Sequence, residues 1–211
     1  ASQARALVCR SSFMLLRDGS RHALPDLDRA LDALKGQNEP QLEGEILVMR
    51  ADLLSLIGDQ AQAMLDFQRA RAAFRDSGLD HEVEPLLQGM ATAYRRMGDY
   101  AQAARVLDQS RERLAAKQDW EGLAVNMIQF GFLHVEAGAP DKARVAFEEA
   151  IRIARAHDDD TDRNGALLGL AEAQIALGQP QAARTTLHEA ATRFAAAGDD
   201  SSKDMLLLLG G

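Results

Sequence analysis

EVEPLLQGMATAYRRMGDYAQAARVLDQSRERLAA, residues 82–116, reads as two helices folded back on each other. Leu86, Leu87, Met90, Ala91 and Tyr94 recur at helical spacing and form an apolar stripe. Pro85 sits in the first turn, where a missing N–H costs nothing. Gly98 ends the helix at a position where a positive φ is cheap only for glycine. Asp99 then stands as N-cap of a second helix, with a stripe of Ala103, Val106, Leu107, Ser110 and Leu114.

The same unit recurs along the chain. Ala23, Ala63, Ala103, Ala143 and Ala183 stand forty residues apart. Gly58, Gly98, Gly138 and Gly178 form a second column, and Leu27, Phe67, Leu107, Phe147 and Leu187 a third. A period of this size marks an array whose units bury their apolar faces against their neighbours. The expected fold is all-α: one α-solenoid over 1–211, built of antiparallel helix hairpins at about 1–37, 41–77, 81–117, 121–157 and 161–197. Residues 201–211 are expected to be a capping or truncated helix. SGLD (77–80), KQDW (117–120), HDDD (157–160) and AGDD (197–200) read as polar turns between hairpins.

The alanine column is expected at the close crossing of each hairpin, opposite Ala51, Ala91, Gly131 and Ala171, because axes approach only where side chains are small. Pro140 and Pro180 are expected to begin second helices, Pro40 to precede a helix starting near Gln41, and Pro25 to fall in a first turn. On that reading no proline interrupts a helix interior.

The net charge of -8, from 24 basic and 32 acidic residues, argues against sequence-independent binding of nucleic acid and against anionic membranes. Cys9 is the only cysteine, so no internal disulfide or cysteine-based metal site is expected. No run of eighteen apolar residues suits a membrane span, and no signal peptide is read at the start, so a cytoplasmic location is expected. The chain lacks an initiating Met, and SSKDMLLLLGG looks like the opening of a sixth unit, so a piece of a longer protein is expected. The apolar run Met205–Leu209 suggests self-association through that end.

Catalytic constellations are not apparent. His22, His81, His134, His157 and His188 include no pair three or four apart, so no helical metal pair forms. Asp158, Asp159, Asp160 and Asp162 lack the glycine and distal Glu of a calcium loop and read as a turn and N-cap cluster. No phosphate-binding glycine loop or nucleophile elbow is present. No enzyme activity, cofactor or metal is expected.

GDYAQAARVLDQS (98–110) resembles the second helix of the tetratricopeptide repeat. GDQAQAMLDFQRA (58–70), GAPDKARVAFEEA (138–150) and GQPQAARTTLHEA (178–190) follow closely, and DGSRHALPDLDRA (18–30) is degenerate. The forty-residue period is similar to that of a long-repeat subgroup in the arrays of maltose-regulator-like transcription activators. The resemblance implies a right-handed superhelix whose groove, lined by the first helix of each pair, binds a protein or peptide. The alternative it implies is the effector-sensing segment of a larger bacterial transcription regulator.

Carried over by column, the groove positions are Val48, Asp52 and Ser55; Gln88, Thr92, Arg95 and Arg96; Ile128, Phe132 and Val135; Leu168, Glu172 and Ile175. Phe132 beside Ile128 would hold an apolar side chain, and Arg95 with Arg96 a carboxylate. Alternatively Phe132 fills the inside of the coil, and the arginines are solvated or paired with Glu136. The lysine and asparagine clamp of chaperone-binding members is not reproduced. Arg10 and Arg50 depart from the pattern, standing in the column of Met90, Phe130 and Leu170. They suggest stems snorkelling along the surface, or frayed units that touch another segment.

Overall fold

The computed structural model describes residues 1–18, 20–79 and 83–196. Every regular element among them is a helix: α1 (Ser2–Asp18), α2 (Ser20–Leu34), α3 (Pro40–Ile57), α4 (Gln60–Asp76), α5 (Val83–Arg96), α6 (Tyr100–Lys117), α7 (Trp120–Glu136), α8 (Pro140–Ala156), α9 (Asp160–Ala176) and α10 (Pro180–Ala196). α1 with α2, α3 with α4, α7 with α8 and α9 with α10 pack as hairpins. The chain divides into two compact units, Ala1–Val106 and Leu107–Gly211, and the division falls within α6. In the first unit α1 packs on α2, α2 on α3, α3 on α4, and α5 on both α4 and α3. In the second α7 packs on α8, and α9 on α7, α8 and α10. Within each unit paired helices close on each other and stack on the next pair, which is the wiring of a helical solenoid. The run Met205–Leu209 and the turn 197–200 lie outside the described residues.

The helix ends follow local chemistry. Gly58, Gly98, Gly138 and Gly178 take positive φ between the helices of their hairpins. After α5, Asp99 N–H donates to the Tyr94 carbonyl and Gly98 N–H to that of Arg95, which satisfies the last turn. Asp59, Asp99, Asp119 and Asp159 each accept a hydrogen bond from a backbone N–H of the helix they precede. Where the cap is not an aspartate, as at Ala139, Pro140 opens the helix instead.

Pro25 corrects the expectation from sequence. It is the sixth residue of α2 and lies in the helix interior. The helix starts earlier than the proline suggests, which places the missing N–H just past the free first turn.

The alanine column is buried throughout: Ala23, Ala63, Ala103 and Ala143 are fully inaccessible, and Ala183 nearly so. The opposing small residues Ala51, Ala91, Gly131 and Ala171 are also buried. In the first hairpin Ser11 takes that place, and its hydroxyl donates to the Ala23 carbonyl at 3.1 Å. Large side chains fill the layers between: Phe67, Phe74 and Phe147 are buried, each contributing about 2–3 kcal/mol by area.

All three rings sit against a glycine, Phe74 against Gly44, where a Cβ would lie 2.4 Å away, and two of them against a glycine of the following hairpin. A Cβ on Gly89 would lie 2.6 Å from Phe67, and one on Gly169 would lie 2.3 Å from Phe147. In both cases the aromatic residue stands 22 positions before the glycine, so the ring of one hairpin enters a notch in the next.

Candidate functional site

The first helices carry the positions expected to meet a partner. In the first unit α3 and α5 pack together and hold Asp52, Gln88, Thr92, Arg95 and Arg96. Gln88, Thr92 and Arg95 are half-buried, and Arg96 is exposed. Arg96 Nη1 donates to the Ser55 carbonyl at 2.5 Å and reaches its hydroxyl at 3.3 Å. One arginine of the expected carboxylate pair therefore braces the end of α3. Ser55 is not on the open face as expected: it is buried, and its hydroxyl donates to Gln60 Oε1 at 2.9 Å.

Asp52 is exposed, yet one oxygen of its carboxyl lies close against α5. Gly89 permits this, since a Cβ there would come within 3.1 Å of Asp52 Oδ1. Burial pushes the Asp52 carboxyl up to about 6.

The second unit presents a different surface. α7 and α9 pack together and carry Ile128, Phe132 and Val135, all half-buried, with Leu168, Glu172 and Ile175 exposed. Leu168 is 36% and Ile175 61% accessible, large values for aliphatic side chains. Phe132 stands edge-on to Phe147, centroids 5.3 Å apart. Its ring is thus supported from beneath by the core and is half-buried.

Arg10 and Arg50 are explained by partners sixteen residues on. Arg50 makes a two-pronged ion pair with the buried Asp66, both contacts at 2.7 Å, and also reaches Asp28 at 2.6 Å. Arg10 pairs likewise with Asp26. These guanidiniums close the crossing within each hairpin by charge; Asp26 is held below the usual carboxylate range by Arg10.

The expected turn cluster is in place. Asp159 accepts from Thr161 N–H at 3.0 Å and from Asp162 N–H at 3.1 Å. Asp162 is pushed up to about 6, mainly by burial and further by Asp159 and Glu121. Gln118 and Asp158 take positive φ of 55° between hairpins, a conformation the sequence reading missed. Gly78 in the same column was the available signal. Among the described residues no group of three His, Cys, Asp or Glu side chains is arranged to hold a metal, and no helix is long and apolar enough to cross a membrane.

Comparison with known proteins agrees with this architecture. Residues 83–156 and 134–198 match models of the tetratricopeptide repeat, which together take in 116 of the 211 residues. No curated protein matches the chain at a significant level. Among solved structures, the apo form of RapI is 14% identical and aligns over 98% of this chain and 76% of its own, with a TM-score of 0.82. A Rap protein complexed with Competence and Sporulation Factor is 15% identical and aligns over 95% of this chain and 56% of its own, with a TM-score of 0.80. The nearly identical repeats of a putative kinesin light chain from Podosopora anserina are 16% identical, align over 93% and 97%, and give a TM-score of 0.78. At these identities the likeness is one of fold.

Proposed function

We infer that this chain, which belongs to the tetratricopeptide-repeat family, is a non-catalytic interaction scaffold that binds a protein or peptide on the exposed faces of its first helices. The observation that carries the reading is the apolar stripe of the second unit. Ile128, Phe132 and Val135 on α7 and Leu168 and Ile175 on α9 leave apolar area open to solvent on two adjacent helices. Burying such area against a partner is the main source of binding free energy. Gln88, Thr92, Arg95 and Arg96 on α5, with Glu172 on α9, would supply polar contacts. The Rap protein complexed with Competence and Sporulation Factor lends support by fold.

Selection of random peptides against the immobilised chain tests this. Selected peptides are expected to carry large apolar residues and to lose binding at least about tenfold to Leu168→Glu with Ile175→Glu, since each removes a contact worth about 1 kcal/mol or more. Both positions are exposed, so the melting temperature is expected to hold within a few degrees. Peptides that bind the double variant as tightly as the original chain would refute the assignment.

A second reading, an effector-sensing segment of a larger transcription regulator in the cytoplasm, rests on the forty-residue period. An adjoining helix-turn-helix or ATPase module in the reading frame would support it, and a frame ending at Gly211 would sink it. Self-association through Met205–Leu209 is a further expectation, which light scattering showing a monomer at high concentration would contradict.

A further inference from the structure

The second unit has a pocket that the first-helix face does not include. It has a volume of about 500 Å³, within the range of small-ligand sites. Met127, Phe130 and His134 of α7, Val145 and Ala146 of α8, and Arg111 of α6 are among its walls. The helical period sets Met127, Phe130 and His134 roughly 130° around α7 from Ile128, Phe132 and Val135. The pocket coincides with a column substitution. Phe130 and Ala146, which both line it, occupy the columns in which Arg50 and Asp66 form their ion pair.

The charges around it are unequally committed. Arg111 lies over the Phe130 ring at 5.6 Å and pairs with Asp108 at 2.6 Å. Arg144 pairs with Glu148 at 2.8 Å, and Glu149 with Arg152 at 2.6 Å. Asp141 sits in the first turn of α8, where the helix end offsets its charge. Among the described residues Lys142 has no ion-pair partner. Its field reaches the interior: burial, and then Lys142, hold the His134 imidazole below its usual range. His134 stacks on Phe130 with centroids 6.1 Å apart.

We propose that this pocket is a second binding site, taking from a partner peptide a large apolar side chain with a carboxylate next to it. The side chain lies against Met127, Phe130 and Ala146, and the carboxylate meets Lys142. Val145, 57% exposed, continues the apolar surface beyond the pocket, so a chain can run on along α8. A peptide is favoured over a free lipid-like acid because the floor is shallow and open along that helix and bordered by charged side chains. The proposal does not depend on the first-helix face.

The test is a methyl NMR titration of the full chain labelled at methionine, observing Met127. N-acetyl-phenylalanine is expected to shift that resonance saturably, and N-acetyl-phenylalaninamide to bind about fivefold more weakly, the scale of one partly exposed charge pair. Lys142→Gln is expected to erase this difference, and Val145→Glu, at an exposed position, to abolish binding without moving the melting temperature. An unmoved Met127 resonance, an acid-over-amide preference that survives Lys142→Gln, or binding that survives Val145→Glu would each overturn the site. Octanoate binding as tightly as N-acetyl-phenylalanine would overturn the peptide assignment.

Discussion

The second and fourth hairpins fill the same columns with opposite chemistry. In the second, Arg50 and Asp66 close the crossing with a two-pronged ion pair, and Asp66 is fully buried. In the fourth, Phe130 and Ala146 stand at those positions, and both line a pocket. A buried pair is rigid and satisfied by the protein itself, here with Asp28 of the preceding hairpin as a further partner, so it leaves little for a binding partner. In the fourth hairpin that pair is almost buried, and the apolar area open to a partner beside it is that of Val145. The repeat frame fixes where a crossing is; the residue pair decides whether it is sealed or available.

The largest expected effect comes from breaking the sealed crossing. Asp66→Ala leaves the Arg50 guanidinium, 15% exposed, without its main partner, and is expected to cost about 3 kcal/mol in urea unfolding. Arg50→Met with Asp66→Val copies the Met90 and Val106 of the third hairpin and is expected to recover that loss. If the double replacement is as damaging as the single one, the columns are not interchangeable.

The notch that seats Phe147 comes next. Gly169→Ala places a methyl against the ring and is expected to cost about 1–3 kcal/mol. Phe147→Leu, harmful alone, is expected to cost less in the Gly169→Ala background; additive losses in a double-mutant cycle would deny the fit. Smaller again is the strain at the turns. Gln118→Gly and Asp158→Gly are each expected to gain up to about 1 kcal/mol, read as a raised melting temperature, because both residues hold a positive φ.

The smallest effect is electrostatic and sets one unit against the other. Asp52 in the first and Asp162 in the second are both pushed up to about 6. A carboxyl raised in the fold binds its proton more tightly there than in the unfolded chain. Its favourable contribution is complete below about pH 4 and is lost as pH rises towards 6. Asp162→Asn is expected to flatten stability between those values by less than about 1 kcal/mol, allowing for solvent screening, and Asp52→Asn by less still. Unfolding curves at several pH values would check it.

The columns of alanine and glycine made the hairpins legible, since each carries one physical requirement: close approach, or a positive φ. Aspartate caps were readable for the same reason. What escaped was pairwise. Arg10 and Arg50 looked anomalous in their own column, although Asp26 and Asp66 stood sixteen positions on in the same two hairpins and nowhere else in that column. The notches escaped likewise, since Phe67 with Gly89 and Phe147 with Gly169 have meaning only as pairs. Pro25 was misplaced because a proline marks where a helix tolerates a missing N–H, not where it must begin. Among the groove positions, the burial of Ser55 and the bond from Arg96 to the Ser55 carbonyl are contacts between positions that a column does not show.

The most direct test of the account is photo-crosslinking of a selected peptide to the full chain, with benzoylphenylalanine in place of Ile175 on α9 or of Leu65 on α4. Both residues are exposed, at 61% and 54%, but only Ile175 lies on a first helix. Capture from position 175 and none from position 65 is the expected result. Capture from position 65 alone would place the partner on a second helix and contradict the account.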